Sequence, residues 1–173
     1  MDQALGRGPP FRIDPPVVTT GALGASVIEV VFHSGELGLP NLGLTAEALV
    51  AVDLDMSLAG DDMAVRRRAA RMVSGAARRA ASSIMASEAR VSIERPRSDS
   101  EVGKLAFAHD ELADGGLAHR VMVLFEVLMQ DDDSTDTIRQ RTSGPAAALL
   151  IRMADAVHDA VDDPAWVAVF GER

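Results

Sequence analysis

Two segments in the first third of the chain alternate between apolar and polar residues with a period of two. They lie at 27–33 and 50–56. This period puts successive side chains on opposite sides of an extended backbone, so each segment predicts a half-buried β-strand. The stretch between them is long and contains several turn-forming residues, which argues against a tight hairpin.

Apolar residues then recur at steps of three and four over 61–87, which predicts a long amphipathic helix. Asp61 and Asp62 stand at its start, where acidic side chains interact favourably with the helix dipole. The apolar stripe is mostly alanine, so we expect a closely packed neighbour. Arginines occupy the remaining faces of this helix: Arg66, Arg67, Arg68, Arg71, Arg78 and Arg79.

The hydrophobic period returns to two after this helix. Alternation at 90–94 and at 104–108 predicts two further strands. The segment 119–130 fits both a helix and a strand, but its valines and the preceding Gly115-Gly116 favour a strand buried on both faces.

A last helix is predicted to begin at Ser143 as its cap, with Pro145 in the first turn, and to end before Pro164. The predicted order is therefore strand, strand, helix, three strands, helix. Local connections of this kind indicate an α+β two-layer sandwich. We expect a mainly antiparallel sheet of about five strands and two principal helices.

Residues 1–25 are predicted to form an extended arm, because Pro9-Pro10, Pro15-Pro16 and several glycines disfavour a helix. The arm packs on its own domain, reaches onto a neighbouring subunit, or is disordered. Residues 26–173 are predicted to form a single α+β domain. The apolar side chains of the arm are candidate partner contacts: Phe11, Ile13, Val17 and Val18.

Composition excludes several kinds of site. The chain has 173 residues and no cysteine, so a disulfide framework, a thiolate zinc site and an iron–sulfur cluster are excluded. A formal charge of −9 and an aromatic content of 3% argue against nucleic acid as a partner. Cations that are almost all arginine, with Lys104 the only lysine, indicate a GC-rich bacterial or phage source.

The N-terminal residues lack the apolar core of a signal peptide, and no apolar run approaches the length of a spanning helix. We therefore expect a soluble, cytoplasmic protein without membrane contacts.

The string VDLDMSL at 52–58 resembles the first motif of the haloacid-dehalogenase phosphatase superfamily, in which a strand runs into D-x-D-G-T-L. The resemblance implies that Asp53 attacks phosphorus and holds magnesium, and that Asp55 acts as general acid and base. Met56 and Ser57 stand where that family has glycine and threonine. The alternation in the same string is explained by a half-buried strand with acidic outward positions, which is the interpretation we favour.

If the first two strands pair antiparallel, Glu29 and His33 share a face with Asp53 and Asp55. One imidazole and three carboxylates can hold a divalent cation or act as an acid–base group. The candidate catalytic residues are then Asp53, Asp55 and His33, and the candidate metal ligands are Asp53, Asp55 and Glu29. Magnesium is expected only for this enzyme alternative, and no cofactor otherwise. His109, which precedes Asp110, is a further catalytic candidate, or a solvated loop residue.

Three arginines of the long helix are candidate contacts for an acidic partner or a phosphate: Arg67, Arg71 and Arg78. The alternative is an arginine face paired with the chain's own surplus carboxylates.

Taken together, the apolar arm, the alanine-rich helix and the incomplete catalytic set predict a non-enzymatic subunit. It would act by assembling with copies of itself or with another protein. Two alternatives stay open. One is a small carboxylate-dependent enzyme, with magnesium-dependent phosphoryl transfer as its chemistry. The other is a regulatory module that binds a small ligand in a methionine-lined pocket.

Overall fold

A computed structural model of the chain describes residues 11–20, 26–34, 46–54, 62–112 and 118–171. Within them the chain forms seven strands and three helices. The strands are β1 (Phe11–Ile13), β2 (Val17–Thr20), β3 (Ser26–Ser34), β4 (Ala46–Leu54), β5 (Arg90–Glu94), β6 (Val102–Leu112) and β7 (Ala118–Leu128). The helices are α1 (Asp62–Met85), α2 (Thr135–Ala160) and α3 (Pro164–Gly171).

All seven strands form one antiparallel sheet in the order β1-β3-β4-β7-β6-β5, with β2 also paired to β3. The predicted α+β class with a mainly antiparallel sheet is confirmed. The sheet has two more strands than expected, because the N-terminal segment adds β1 and β2 to its edge. The ambiguous segment at 119–130 lies largely in β7, as a strand.

Helices α1 and α2 cover one face of the sheet. Alternate residues of β3, β4, β6 and β7 point to this side and are buried with the helix stripes. The strands contribute the branched and aromatic side chains, whereas the two helices contribute many alanines. Small side chains let α1 and α2 approach closely, as the stripe of the long helix predicts. The buried alanines of α1 are Ala69, Ala70, Ala76, Ala77, Ala80 and Ala81.

The predicted start of the last long helix at Ser143 is wrong, because α2 begins at Thr135. Ser134 is its N-cap, and the Ser134 hydroxyl accepts a hydrogen bond from the Thr137 amide at 3.1 Å. Pro145 lies inside the helix instead of in its first turn. Proline inside a helix removes one backbone hydrogen bond, because it has no N–H to donate to the carbonyl four residues earlier. Buried apolar residues on both sides of Pro145 hold the helix in place.

The terminal apolar segment forms the short helix α3. Pro164 starts it, where the missing amide hydrogen costs nothing, and the Asp163 carboxylate accepts from the Ala165 amide at 2.9 Å. Trp166 and Phe170 are 2% and 1% exposed. The segment therefore closes the core beside α1. None of the helices in the described part of the chain is long and apolar enough to cross a membrane.

Candidate functional site

The face of the sheet opposite the helices carries a continuous apolar row. Val31, Leu49, Met122 and Ala108 are register partners across β3, β4, β7 and β6. Partners in register place their side chains on the same face. Leu124 lies two residues along β7 on this face and is 39% exposed. We call this surface the open face.

Charged side chains of both signs flank the apolar row. On one side, Asp110 accepts from Arg90 at 2.5 Å and from Arg120 at 3.3 Å. On the other side, Lys104 is the register partner of both Glu126 and Glu94. The open face is therefore apolar in the middle and polar at its margins, an arrangement typical of protein interfaces.

A hollow of about 440 Å³ indents the open face between β5 and β7. Ser92 and Ala106, which are register partners, line it with small side chains. Leu124 and Glu126 stand beside it on β7. The sheet thus presents a protruding leucine next to a recess.

His33 is held between two carboxylates on the open face. Its Nε2 lies 2.7 Å from Asp14 Oδ2, and its Nδ1 lies 3.1 Å from Glu47 Oε1. Arg12 donates from Nε to the other oxygen of Asp14 at 3.1 Å. Both ring nitrogens are occupied, so this cluster ties the N-terminal edge to β3 and β4.

The structure describes only part of the predicted carboxylate site. β3 and β4 pair antiparallel as expected, and Glu29, His33 and Asp53 share the open face. Glu29 is diagonal to Asp53, since Ala51 is its register partner. His33 contacts Glu47, and Glu47 lies six residues before Asp53 on β4, so the structure separates His33 from Asp53 by roughly 20 Å.

Asp55 lies outside the described residues, so the magnesium site stays a prediction. Among the described residues, no three His, Asp or Glu side chains are placed to hold one metal ion.

The apolar residues of the predicted arm divide into two pairs. Phe11 and Ile13 pack against the chain's own core, and the Phe11 ring stacks on Phe32 at 5.4 Å. Val17 and Val18 lie in the edge strand β2 and are 57% and 36% exposed. Of these four side chains, Phe11 and Ile13 therefore contact the chain's own core, and Val17 and Val18 are exposed.

The arginines of α1 have different surroundings. Arg66 is buried and donates from Nη1 to the Val161 carbonyl at the end of α2, at 2.5 Å. Arg78 donates to Asp155 at 2.5 Å. Arg67 and Arg71 are exposed. The structure therefore uses two of these arginines to join α1 to α2.

A second cluster lies on the helix-covered side, at the end of the sheet near α1. Glu111 accepts from Arg79 Nε at 2.7 Å and lies 2.8 Å from His109 Nε2. His119 is the register partner of Glu111 and is 6% exposed. His109 lies in β6 and not in a loop, and its acidic partner is Glu111, two residues on, because alternate residues of a strand share a face.

Burial raises the pKa of Glu111, but hydrogen bonds from His109 and Arg79 outweigh burial and hold the pKa below its ordinary value. Burial also lowers the pKa of His119, and the charge of Arg79 lowers it further, against the opposing charges of Glu111 and Asp53. The cluster thus combines a carboxyl group whose charged form is favoured with an imidazole whose neutral form is favoured.

Sequence reasoning missed the apolar row and the position of His119. Both depend on strand register, which places Met122 beside Leu49 and His119 beside Glu111. The alternation within 119–130 could have indicated both, because in a strand it places His119 and Met122 on opposite faces of the sheet. No family model, no curated protein and no solved structure matches the chain.

Proposed function

We propose that the chain is a non-enzymatic subunit that assembles with a second copy of itself through the open face of its sheet. The observation that carries the proposal is the apolar row across four adjacent strands, with Val31, Leu49, Met122 and Ala108 in register. Both long helices lie on the other face. A monomer seldom leaves a contiguous apolar surface of this kind uncovered.

The two edges of the sheet are poor sites for strand addition. β5 is short, carries Arg90 and Glu94, and is followed closely by Pro96. The other edge is divided into β1 and β2, which are separated by Pro15 and Pro16. Short strands, charges and prolines are features that block edge-to-edge pairing. Assembly through the face is therefore favoured over extension of the sheet.

The size of the open face suits a stable dimer. Strands spaced by about 4.8 Å and a rise of about 3.3 Å per residue give a surface of roughly 24 Å by 30 Å. Stacking two such faces buries on the order of 700 Å² on each copy, close to the ~800 Å² per partner of a standard protein interface. A smaller occupant would leave part of the apolar row uncovered.

The charges favour a second copy as the occupant. The chain has a net charge of −9, so a uniformly acidic face would repel its own copy. The open face instead carries Arg90, Lys104 and Arg120 among its acidic residues, so opposite charges are present for contacts between two copies. Leu124 beside the hollow at Ser92 and Ala106 gives each copy both a protrusion and a recess.

The proposal is tested by measuring the absolute mass in solution, by size-exclusion chromatography with light scattering over a range of concentrations. The expected result is twice the chain mass of 18.3 kDa. Replacing Met122 and Leu124 with glutamate places charges in the middle of the apolar row, and this double variant is expected to run as a folded monomer.

Ile151→Glu is the matched control, because Ile151 is 43% exposed on α2, away from the open face. It is expected to keep the mass of the parent chain. A parent chain that stays monomeric at every concentration, or a double variant that keeps the dimer mass, would overturn the proposal.

A further inference from the structure

A separate cavity of about 590 Å³ lies on the helix-covered side of the molecule. It is lined by Arg68, Arg71, Met72 and Arg79 of α1 and by His119 of β7. The cavity therefore has a wall rich in guanidinium groups on one side and an imidazole on the other. It lies away from the apolar row, so the inference below goes beyond the proposed assembly.

Helical spacing brings the cationic wall together. Residues 68, 71, 75 and 79 follow one another at steps of three and four, so they form one stripe along α1. Gly75 occupies the middle of this stripe, and a Cβ atom there would lie 3.0 Å from Arg79 Nη1. The absence of a side chain at Gly75 lets the Arg79 guanidinium fold back over the helix.

The charges in the cavity are not balanced. Arg79 is paired with Glu111. Arg68 and Arg71 have no carboxylate partner among the residues that the structure describes. Arg68 and Arg71 thus bring two positive charges to the cavity that no salt bridge within the described part of the chain neutralises.

His119 supplies an independent indication of a ligand. Its side chain is more than nine-tenths buried and lines the cavity. Its Nδ1 atom has no hydrogen-bond partner in the described part of the chain. A buried polar atom without a partner costs its desolvation free energy, which a hydrogen bond to a bound ligand offsets.

We propose that this cavity binds the phosphate group of a small molecule, or free phosphate, through Arg68, Arg71 and Arg79 with His119 at its wall. A phosphate dianion matches the two positive charges of Arg68 and Arg71, whereas a single carboxylate neutralises one. Its several oxygens also accept from more than one guanidinium fork at a time.

Isothermal titration calorimetry of the full chain tests the proposal, with inorganic phosphate, phenyl phosphate and acetate as probes at one ionic strength. Inorganic phosphate is expected to bind saturably, one per chain, and acetate is not. Phenyl phosphate is expected to compete for the same site. A tighter Kd for phenyl phosphate assigns an organic phosphate as the source, and an equal or weaker one assigns free phosphate.

The double variant Arg68→Gln with Arg71→Gln removes these two charges and is expected to raise the Kd for inorganic phosphate by about tenfold or more. Arg67→Gln is the matched control, since Arg67 is an exposed arginine of α1 that does not line the cavity. It is expected to leave the Kd within about twofold, as a surface charge does. The His119 imidazole signals, followed by NMR, are expected to shift on titration in the parent chain and in Arg67→Gln.

Three outcomes would overturn the proposal. They are the absence of saturable phosphate binding at millimolar concentrations, equal binding of acetate, and an equal loss of affinity in Arg67→Gln. Far-ultraviolet circular dichroism of each variant shows that the comparison is made between folded chains.

Discussion

Phe11 stacks on Phe32 with the ring centroids 5.4 Å apart and the planes within 9° of parallel. Arg152 of α2 places its guanidinium carbon 3.9 Å from the centre of the Phe11 ring, on top of this pair. Phe32 is 2% exposed. The contact joins the edge strand, the sheet and the helix layer at one point, so β1 packs against the core through Phe11.

Phe11→Ala is expected to lower the free energy of unfolding by about 2 kcal/mol. Full truncation of a buried phenylalanine costs about 3–5 kcal/mol, and Phe11 is only half-buried. Urea denaturation followed by circular dichroism measures the change. Arg12→Ala is the neighbouring control, because that side chain is 71% exposed, and it is expected to change the stability by less than about 0.5 kcal/mol. Equal effects of the two variants would contradict the packing of Phe11.

Gly103→Ala is expected to destabilise the protein by about 2 kcal/mol, as overpacking does. An added Cβ atom would lie 2.4 Å from Met129 Sδ and 2.8 Å from the Glu94 carbonyl oxygen. The methionine side chain can move, but the backbone of β5 cannot move without loss of its pairing to β6.

The matched control for this variant is Gly144→Ala in α2, where an added Cβ meets nothing within 4 Å beyond the backbone of its own helix and its chain neighbours. It is expected to change the stability by less than about 1 kcal/mol. Thermal unfolding of both variants at one protein concentration makes the comparison. A Gly103→Ala variant as stable as the parent would show that β5 is not held against β6 at this position.

The pH dependence of stability is expected to contain a contribution from His119. Burial, together with the charge of Arg79, holds the pKa of His119 below the ordinary value of 6.5. The unfolded chain therefore binds this proton at a higher pH than the native chain does. Stability is lost as the pH falls through 6.5 towards the native pKa, and the loss stops below it.

His119→Asn removes this titration, so the unfolding free energy of the variant is expected to fall less between pH 7 and pH 5 than that of the parent, by at most about 1.4 kcal/mol per pH unit. Urea titrations at several pH values measure both slopes, and the comparison of slopes is independent of the constant cost of the substitution. Parallel profiles would contradict a neutral, buried His119.

Much of the fold was predictable from local pattern. The alternation of Ile28, Val30 and Phe32 matches one buried face of β3, and the stripe from Val65 to Ile84 matches the buried side of α1. These patterns report directly on burial, which is the main force behind each element. They are strong enough that the α+β class follows from them.

The remaining errors come from interactions that local pattern does not contain. Pro145 is favoured at the first turn of a helix, yet tertiary packing of the residues around it holds α2 as one helix from Thr135. The two short strands β1 and β2 were not among the predicted strands, although edge strands accept proline. Proline removes one backbone N–H donor. Burial of the neighbouring side chains can offset the free energy lost with that hydrogen bond.

The candidate site was less predictable, because strand register decides which residues meet. His33 and Asp53 share a face as expected, but register puts His33 beside Glu47 at the other end of β4. The apolar row is built by the pairing of β4 with β7. The alternation within each strand does not indicate which other strand it pairs with, so this pairing could not be predicted.

The pairing of Val50 with Val121 has a consequence for how the chain comes together. β3 and β4 are neighbours along the chain, and β5, β6 and β7 are neighbours in turn, so each group can form by short-range closure. The pairing of β4 with β7 can form only after α1, β5 and β6 have been synthesised. Closing a loop over that many residues is slow. During synthesis on the ribosome, β4 therefore emerges with unsatisfied amides and carbonyls along one side, and this interval is when nascent chains are most exposed to mispairing with one another.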